Sequence, residues 1–423
     1  MTRVDPAVAL AGHIAVPGDK SISHRALLVG AVSEGETVVR GFGGAGDTES
    51  TLGALRALGV RVDDEDADTL RVQGVGLRGL RAPVEPIDCG NAGTLMRLLA
   101  GLLAGQMGRF VLTGDESLRG RPMDRVAEPL RRMGAHVELD PLTVEGGSLT
   151  AIDYKLPVPS AQVKSAVLLA GINAKGRTTV VEETPTRDHT ELMLAAAGAK
   201  ILRRPTSVSV GRVERLELGD VDVPGDFSSA APFLVGAALL PGSELTVHGL
   251  GLNPTRIGLL DVLERMGARI SLYNRGVSGG EPIADIEVEH ADLVATQVEP
   301  AEVPNLIDEL PLFALAASMA RGESRVRGAG ELRAKETDRI ETVTNALRAL
   351  GVRITASDDG FRVRGVPSRP KGGGVESSGD HRIAILGAVA GLVSREGVQI
   401  KGAEAVSISF PGFFELLAQV AQR

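Results

Sequence analysis

Ala57-Leu58-Gly59-Val60-Arg61-Val62 joins an amphipathic stretch to an aliphatic one through a single glycine, and four near-copies follow it. They are Arg132-Met133-Gly134-Ala135-His136-Val137, Ala196-Ala197-Gly198-Ala199-Lys200-Ile201, Arg265-Met266-Gly267-Ala268-Arg269-Ile270 and Ala349-Leu350-Gly351-Val352-Arg353-Ile354. Glycine suits the residue after a helix because that position commonly takes a left-handed backbone, which strains a residue carrying a Cβ. Each phrase therefore predicts helix, turn, strand. The glycines lie 75, 64, 69 and 84 residues apart. A unit is then roughly 70 residues long and the chain holds about six, the last ending in a helix near Phe413–Val420.

Units of this length approach small domains, so they are expected in lobes and not in a solenoid. Two lobes of three is the simplest division. Val16-Pro17-Gly18-Asp19 and Val223-Pro224-Gly225-Asp226 repeat the same four residues, and as matched crossings they predict one lobe from residues 1–18 plus 226–423 and another from 19–225. Alternating stretches between the phrases, such as 37–42, 244–249 and 324–329, read as strands bounded by glycine. The predicted class is α/β with α+β character, and a ligand is expected in the cleft between the lobes.

Composition narrows the ligand. The 423 residues carry a net charge of −8, which argues against a general nucleic-acid or anionic-membrane binder, since those need a basic surface. Aromatic residues make up 3% with no Trp, so base-stacking platforms are disfavoured. Cys89 is the only cysteine; it excludes intrachain disulfides and Cys-based zinc sites and suits a reducing compartment. No apolar stretch reaches the ~18 residues of a membrane span, and no signal peptide is evident. The chain is read as soluble and cytoplasmic.

Against this acidic background, cations recur where helices begin. Lys20-Ser21-Ile22-Ser23-His24-Arg25 leads into an apolar helix; Asn91 to Thr94 precedes one with Arg97 in an early turn; Ser160-Ala161-Gln162-Val163-Lys164 opens a third. Lys335 to Arg339 and Asp380 to Arg382 start two more, while Arg121 and Arg187 lie in loops. A helix N-terminus already carries about half a positive charge, so basic residues there cost a few tenths of a kcal/mol unless an anion is bound. One such start is explained by solvation; five point to an anionic ligand. The Gly18-Asp19-Lys20-Ser21 run is no ATP loop, because the glycines that such a motif needs are missing.

Asp308 and Glu309 precede another apolar helix. By position Asp308 is either a helix cap or a carboxylate beside a substrate hydroxyl, a general base. Glu336 is a further candidate, with surface ion pairing as its alternative. His13, His136, His248 and His290 sit on expected strands with no assigned role. No metal-ligand spacing is present. Cys89 lacks an adjacent base and reads as a buried small residue.

Taken together, the motifs resemble the EPSP synthase (3-phosphoshikimate 1-carboxyvinyltransferase) family. The resemblance runs through residues 17–25, 91–94, 121–123, 160–165, 186–189, 253–256, 335–339, 380–382 and 409–413. It implies a two-lobe inverse α/β barrel of six βαβαββ units, three per lobe, in agreement with the count from the glycine phrase. It also implies transfer of the enolpyruvyl group of phosphoenolpyruvate to the 5-hydroxyl of shikimate 3-phosphate, in aromatic biosynthesis, by a monomer with no metal or organic cofactor. Carried over by motif, Lys20, Ser21, Arg25, Ser160, Ala161, Gln162, Arg187, Asp308 and Lys335 contact shikimate 3-phosphate. Lys20, Gly93, Arg121, Gln162, Arg339 and Arg382 contact phosphoenolpyruvate. Asp308 is the implied base, with Lys335 beside it; Glu336 handles the proton at the methylene carbon, and Lys20 joins the catalytic set. Ile408 stands where some relatives have a lysine, and Gly93 is the small residue linked in the family to glyphosate sensitivity. Two rival readings remain: a transferase of enolpyruvyl to UDP-N-acetylglucosamine, which usually has a cysteine in the loop here spanning 113–121, and a noncatalytic repeat scaffold.

Overall fold

The computed structural model describes residues 1–423. Gly59, Gly134, Gly198, Gly267 and Gly351 all have φ between +85° and +105°, the left-handed backbone that the repeated phrase requires. The helices before them, Gly46–Ala57, Asp124–Met133, His189–Ala196, Gly258–Arg265 and Arg339–Ala349, give way to strands Arg61–Asp64, His136–Leu139, Ile201–Arg204, Arg269–Ser278 and Arg353–Ser357. The last helix spans Phe413–Val420.

The strands form six small sheets. Each combines a parallel pair with an antiparallel partner: Ile87–Asp88 runs parallel to Gly108–Thr113, for example, which pairs antiparallel with Leu142–Gly146. A parallel pair needs a crossover, and here the buried helix Gly93–Leu103 supplies it. The mixed α/β architecture of six βα units expected from the sequence is present. No helix is long and apolar enough to cross a membrane.

Two compact units result. The first comprises Gly18–Pro224 with Val277–Glu281; the second comprises Met1–Pro17, Gly225–Gly276 and Pro282–Arg423. Each has its own apolar core. In the first, helices Lys20–Ala31, Gly93–Leu103 and Ala161–Gly171 are buried along nearly their whole length. In the second, Phe227–Leu239, Leu310–Met319 and His381–Val393 are. These helices are apolar all round beyond their first turns and belong inside a core, whereas Asp124–Met133 buries only the stripe Val126, Ala127, Pro129, Leu130 and Met133.

The matched turns organise the two helix starts nearest to them. Asp19 caps helix Lys20–Ala31 by accepting from Ile22 N at 2.9 Å, and its own N–H donates to Pro224 O at 2.8 Å. Asp226 caps helix Phe227–Leu239 through Ser228 N and Ser229 N, and its N–H donates to Pro17 O at 2.9 Å. Gly18 admits no side chain, since a methyl group there would lie 1.8 Å from Gly41 O. The hairpin tip 277–281 joins the first unit through Ser278 Oγ, which donates to Asp222 O at 3.0 Å, and through Glu281, 2.7 Å from His189 Nδ1. Nothing in the sequence around 277–281 marks that change of company.

Candidate active site

Within the first unit, residues at the starts of the three buried helices form a polar network. Arg25 Nε donates to Thr190 Oγ1 at 2.6 Å and its Nη2 to Ser165 Oγ at 3.0 Å, while Nη1 donates to Ser21 O at 2.8 Å. Burial pulls the Arg25 guanidinium down to about 10, with Glu191 and Asp19 acting against the shift, so it stays charged at neutral pH. Lys20, the first residue of its helix, pairs with Asp47 at 2.7 Å. Ser160 caps helix Ala161–Gly171 by accepting from Val163 N at 3.4 Å, which leaves its hydroxyl proton available to an acceptor.

Gln162, two residues further on, bridges two elements. Its Oε1 accepts from Arg97 Nη1 at 2.8 Å and its Nε2 donates to Thr94 Oγ1 at 2.9 Å. Arg121 Nη2 donates to Asn91 Oδ1 at 2.7 Å, and Asn91 in turn donates to Asp115. Gly93 opens helix Gly93–Leu103 between these cations. A Cβ there would stand 2.9 Å from Arg97 Nη1 and 3.1 Å from Arg121 Nη1. Gly93, Arg97, Arg121 and Gln162 therefore share one small space.

The second unit gathers carboxylates around one guanidinium. Arg339 is 1% exposed. Its Nε donates to Asp380 Oδ2 at 2.8 Å, its Nη2 to Glu336 Oε2 at 2.6 Å, and its Nη1 reaches Asp308 Oδ1 at 3.5 Å. Lys335 Nζ lies 3.9 Å from the same Asp308 oxygen. Burial opposes the charge on Arg339, but Glu336, Asp380 and Asp308 more than offset it and hold the guanidinium above its ordinary range. Burial likewise opposes ionisation of Asp380, and Arg339 outweighs it, so that carboxyl sits below the usual aspartate range. Asp380 also caps helix His381–Val393 by accepting from Arg382 N. Arg382 extends to 3.6 Å from Glu309, which is fully buried and also grips Arg256 at 3.0 Å.

Some side chains take other places than the sequence suggests. Lys164 is not a ligand cation: its Nζ is enclosed by Glu182 at 3.0 Å, Glu191 at 2.8 Å and Thr186 O at 3.0 Å. Asp308 is not a helix cap, since Glu309 precedes helix Leu310–Met319. Lys335 and Glu336 lie before helix Arg339–Ala349, whose cap is Asp338. The structure brings Asp308, Lys335, Glu336 and Arg339 together in one unit, and Arg25 next to Ser165 and Thr190 in the other. Asp47 has no chemical signature in the sequence and is recognised only by its pairing with Lys20, whereas Glu309 and Arg256 stand in stretches the sequence marks, beside Asp308 and within 253–256, but with no hint that they pair with each other. Cys89 is buried and free, and burial pushes its thiol well above the ordinary range.

His24, paired with Lys20 at helical spacing, faces the interior. Its Nδ1 lies 2.7 Å from Thr51 Oγ1, and its Nε2 is buried with no hydrogen-bond partner. Burial lowers its pKa from 6.5 to about 3. The unfolded chain thus binds a proton that the native one refuses between these values, so stability rises with pH across the window and falls on acidification. At pH 5 the loss is about 2 kcal/mol. Chemical unfolding of the wild type and His24→Gln at pH 7 and pH 5 should show the variant losing less stability by about that amount; parallel losses would mean that His24 does not titrate this way.

Residues 4–417 match the family model for EPSP synthase (3-phosphoshikimate 1-carboxyvinyltransferase). A relative named 3-phosphoshikimate 1-carboxyvinyltransferase from Geobacter sp. (strain M21) is 49% identical over 99% of both chains. Another of that name, from Alkalilimnicola ehrlichii, is 51% identical over 98% of this chain and 94% of its own length. The solved EPSP synthase from Acinetobacter baumannii superposes with a TM-score of 0.88 at 41% identity, covering 99% of this chain and 97% of that one. The enolpyruvyl transferase NikO from Streptomyces tendae, with a TM-score of 0.80 at 19% identity over 99% and 96% of the two chains, shares the fold. With this coverage and identity, the chain belongs to the EPSP synthase family.

Proposed function

We propose that these residues transfer the enolpyruvyl group of phosphoenolpyruvate to the 5-hydroxyl of shikimate 3-phosphate and release phosphate. The observation that supports it most directly is the pair Asp308 and Glu336 held on the single guanidinium of Arg339, at 3.5 and 2.6 Å. Addition followed by elimination needs an acid and a base that exchange tasks between steps, and two carboxylates on one cation supply that arrangement. Protonation of the methylene carbon by Glu336 makes the neighbouring carbon electrophilic. The substrate hydroxyl oxygen then bonds to that carbon while Asp308 takes its proton. In the resulting ketal phosphate, the methyl group returns a proton to Glu336, the double bond re-forms, and the carbon–oxygen bond to phosphate breaks as Asp308 gives its proton to the leaving phosphate.

In this reading Lys20, Ser21, Arg25, Ser160, Ala161, Gln162 and Arg187 bind shikimate 3-phosphate, with Asp308 and Lys335 at its hydroxyl. Lys20, Gly93, Arg121, Gln162, Arg339 and Arg382 bind phosphoenolpyruvate. Both substrates are polyanions, and the collected guanidinium and ammonium groups offset their mutual repulsion. Ile408 brings no charge; the cavity of about 680 Å³ that it lines also contains Lys401, already paired with Glu376 at 2.7 Å. Arg121, Arg339 and Arg382 then supply the phosphoenolpyruvate charge balance. The enzyme is proposed to act as a cytoplasmic monomer without metal or cofactor.

Phosphate release from phosphoenolpyruvate should require shikimate 3-phosphate, and UDP-N-acetylglucosamine should not replace it. Release with the UDP-sugar instead, or with neither, would overturn the assignment. Glyphosate should compete with phosphoenolpyruvate in the same assay. Gly93→Ala, which pushes a methyl group against Arg97 and Arg121, should weaken that inhibition by about tenfold or more.

A further inference from the structure

Lys164 is among the largest fully buried side chains of the protein, and its charge is met by two carboxylates and a carbonyl. Burying a cation is costly unless it is paired and fully hydrogen-bonded. All three ammonium donors have acceptors here: Glu182 Oε1, Glu191 Oε1 and Thr186 O. Those acceptors come from one stretch, 182–191, which carries Arg187 directly after Thr186. Glu182 fixes the same turn from its other oxygen, accepting from Thr186 N at 3.1 Å and from Thr186 Oγ1 at 2.8 Å.

The next residue along the helix ties in Arg25. Ser165 Oγ accepts from Arg25 Nη2 at 3.0 Å and lies 2.7 Å from Thr190 Oγ1, which accepts from Arg25 Nε. Lys164 and Ser165 thus connect three chain segments that carry Arg25, Ser160 to Gln162, and Arg187. These are the residues assigned above to the phosphate of shikimate 3-phosphate.

We propose that Lys164 is a positioning residue for recognition of the substrate's 3-phosphate: it touches no substrate, but holds segment 182–188 against helix Ala161–Gly171 so that Arg187 and Arg25 meet the phosphate together. This rests on the functional reading given above. A displacement of about 1 Å at a binding group can cost a hundredfold. Loss of the Lys164 anchor therefore weakens use of the phosphorylated substrate without altering the proton-transfer residues of the other unit.

The test compares shikimate 3-phosphate with shikimate, which has the hydroxyl nucleophile but no phosphate. Lys164→Met leaves buried Glu191 and part-buried Glu182 without their cation and is at risk of not folding. Lys164→Met with Glu191→Leu removes the fully buried pair together, a replacement that is often tolerated, and leaves only part-buried Glu182, which keeps Thr186 N and Thr186 Oγ1 as donors. In that double variant KM for shikimate 3-phosphate should rise about tenfold to a hundredfold, with kcat and KM for phosphoenolpyruvate nearly unchanged. The ratio of kcat/KM for shikimate 3-phosphate to that for shikimate should fall by the same factor. An unchanged ratio, or equal losses with both substrates, overturns the positioning role. If the wild type itself shows no preference for the phosphorylated substrate, the functional reading fails and not the anchor alone.

Discussion

Asp308→Asn lowers kcat by about a thousandfold while KM for each substrate stays within a few-fold, the expected signature of removing a general base. The substitution keeps the shape of the side chain but gives up its negative charge beside Lys335 at 3.9 Å and Arg339 at 3.5 Å. The fold should survive, because Arg339 keeps Asp380 and Glu336. Glu336→Gln should be comparably slow, and the double variant should be little slower than either, since an acid and a base acting in one sequence fail as a unit. Steady-state rates for the three variants, with melting temperatures measured in parallel, decide it. A loss of less than tenfold in Asp308→Asn, with KM raised instead, would make Asp308 a binding group and remove it from the proton transfer.

The repeated glycine phrase was legible because its cause is local. A left-handed residue after a helix needs only its own backbone, so Gly59, Gly134, Gly198, Gly267 and Gly351 declare themselves one at a time. The helix starts at Lys20 and Ala161 also have a local cause, since Asp19 and Ser160 cap them from the preceding residue, but the sequence announces them through the apolar runs that follow. What a cation faces is another matter. Lys20 and Lys164 occupy similar places at helix starts, yet the first pairs with Asp47 and the second disappears among Glu182 and Glu191. Separations of 18 to 27 residues in those pairs leave no periodic trace. Arg339 shows the same limit: only Glu336 is within one helical turn, while Asp308 and Asp380 arrive from 31 and 41 residues away. The buried pair Arg256 and Glu309 is 53 residues apart. Family resemblance placed several of these residues in the site, but which carboxylate each guanidinium grips is decided by packing.

Arg339→Met should be the most damaging single change in the second unit, acting on stability as well as turnover. Methionine approaches the length of the side chain but leaves Asp380, itself wholly buried, together with Glu336 and Asp308, without their shared cation. Breaking a buried pair from one side costs about 3–5 kcal/mol, equivalent to a fall of roughly 10 °C or more in Tm for units of this size. The pH dependence identifies the cause. In the wild type the Asp380 carboxyl is depressed, so its contribution is present above the unfolded aspartate value and disappears as pH falls through the folded one. In the variant burial acts unopposed and raises it, so ionised Asp380 destabilises the native state above the unfolded value, and protonation on acidification relieves that penalty. The stability gap between wild type and variant must therefore narrow from pH 7 to pH 4. Arg339→Met with Asp380→Asn should recover part of the lost stability at pH 7 while leaving turnover abolished. Denaturant unfolding at the two pH values, run beside the activity assay, separates these effects. A gap that stays constant with pH would show that Asp380 is not the group left uncompensated, and full activity in the double variant would remove Arg339 from the phosphoenolpyruvate site.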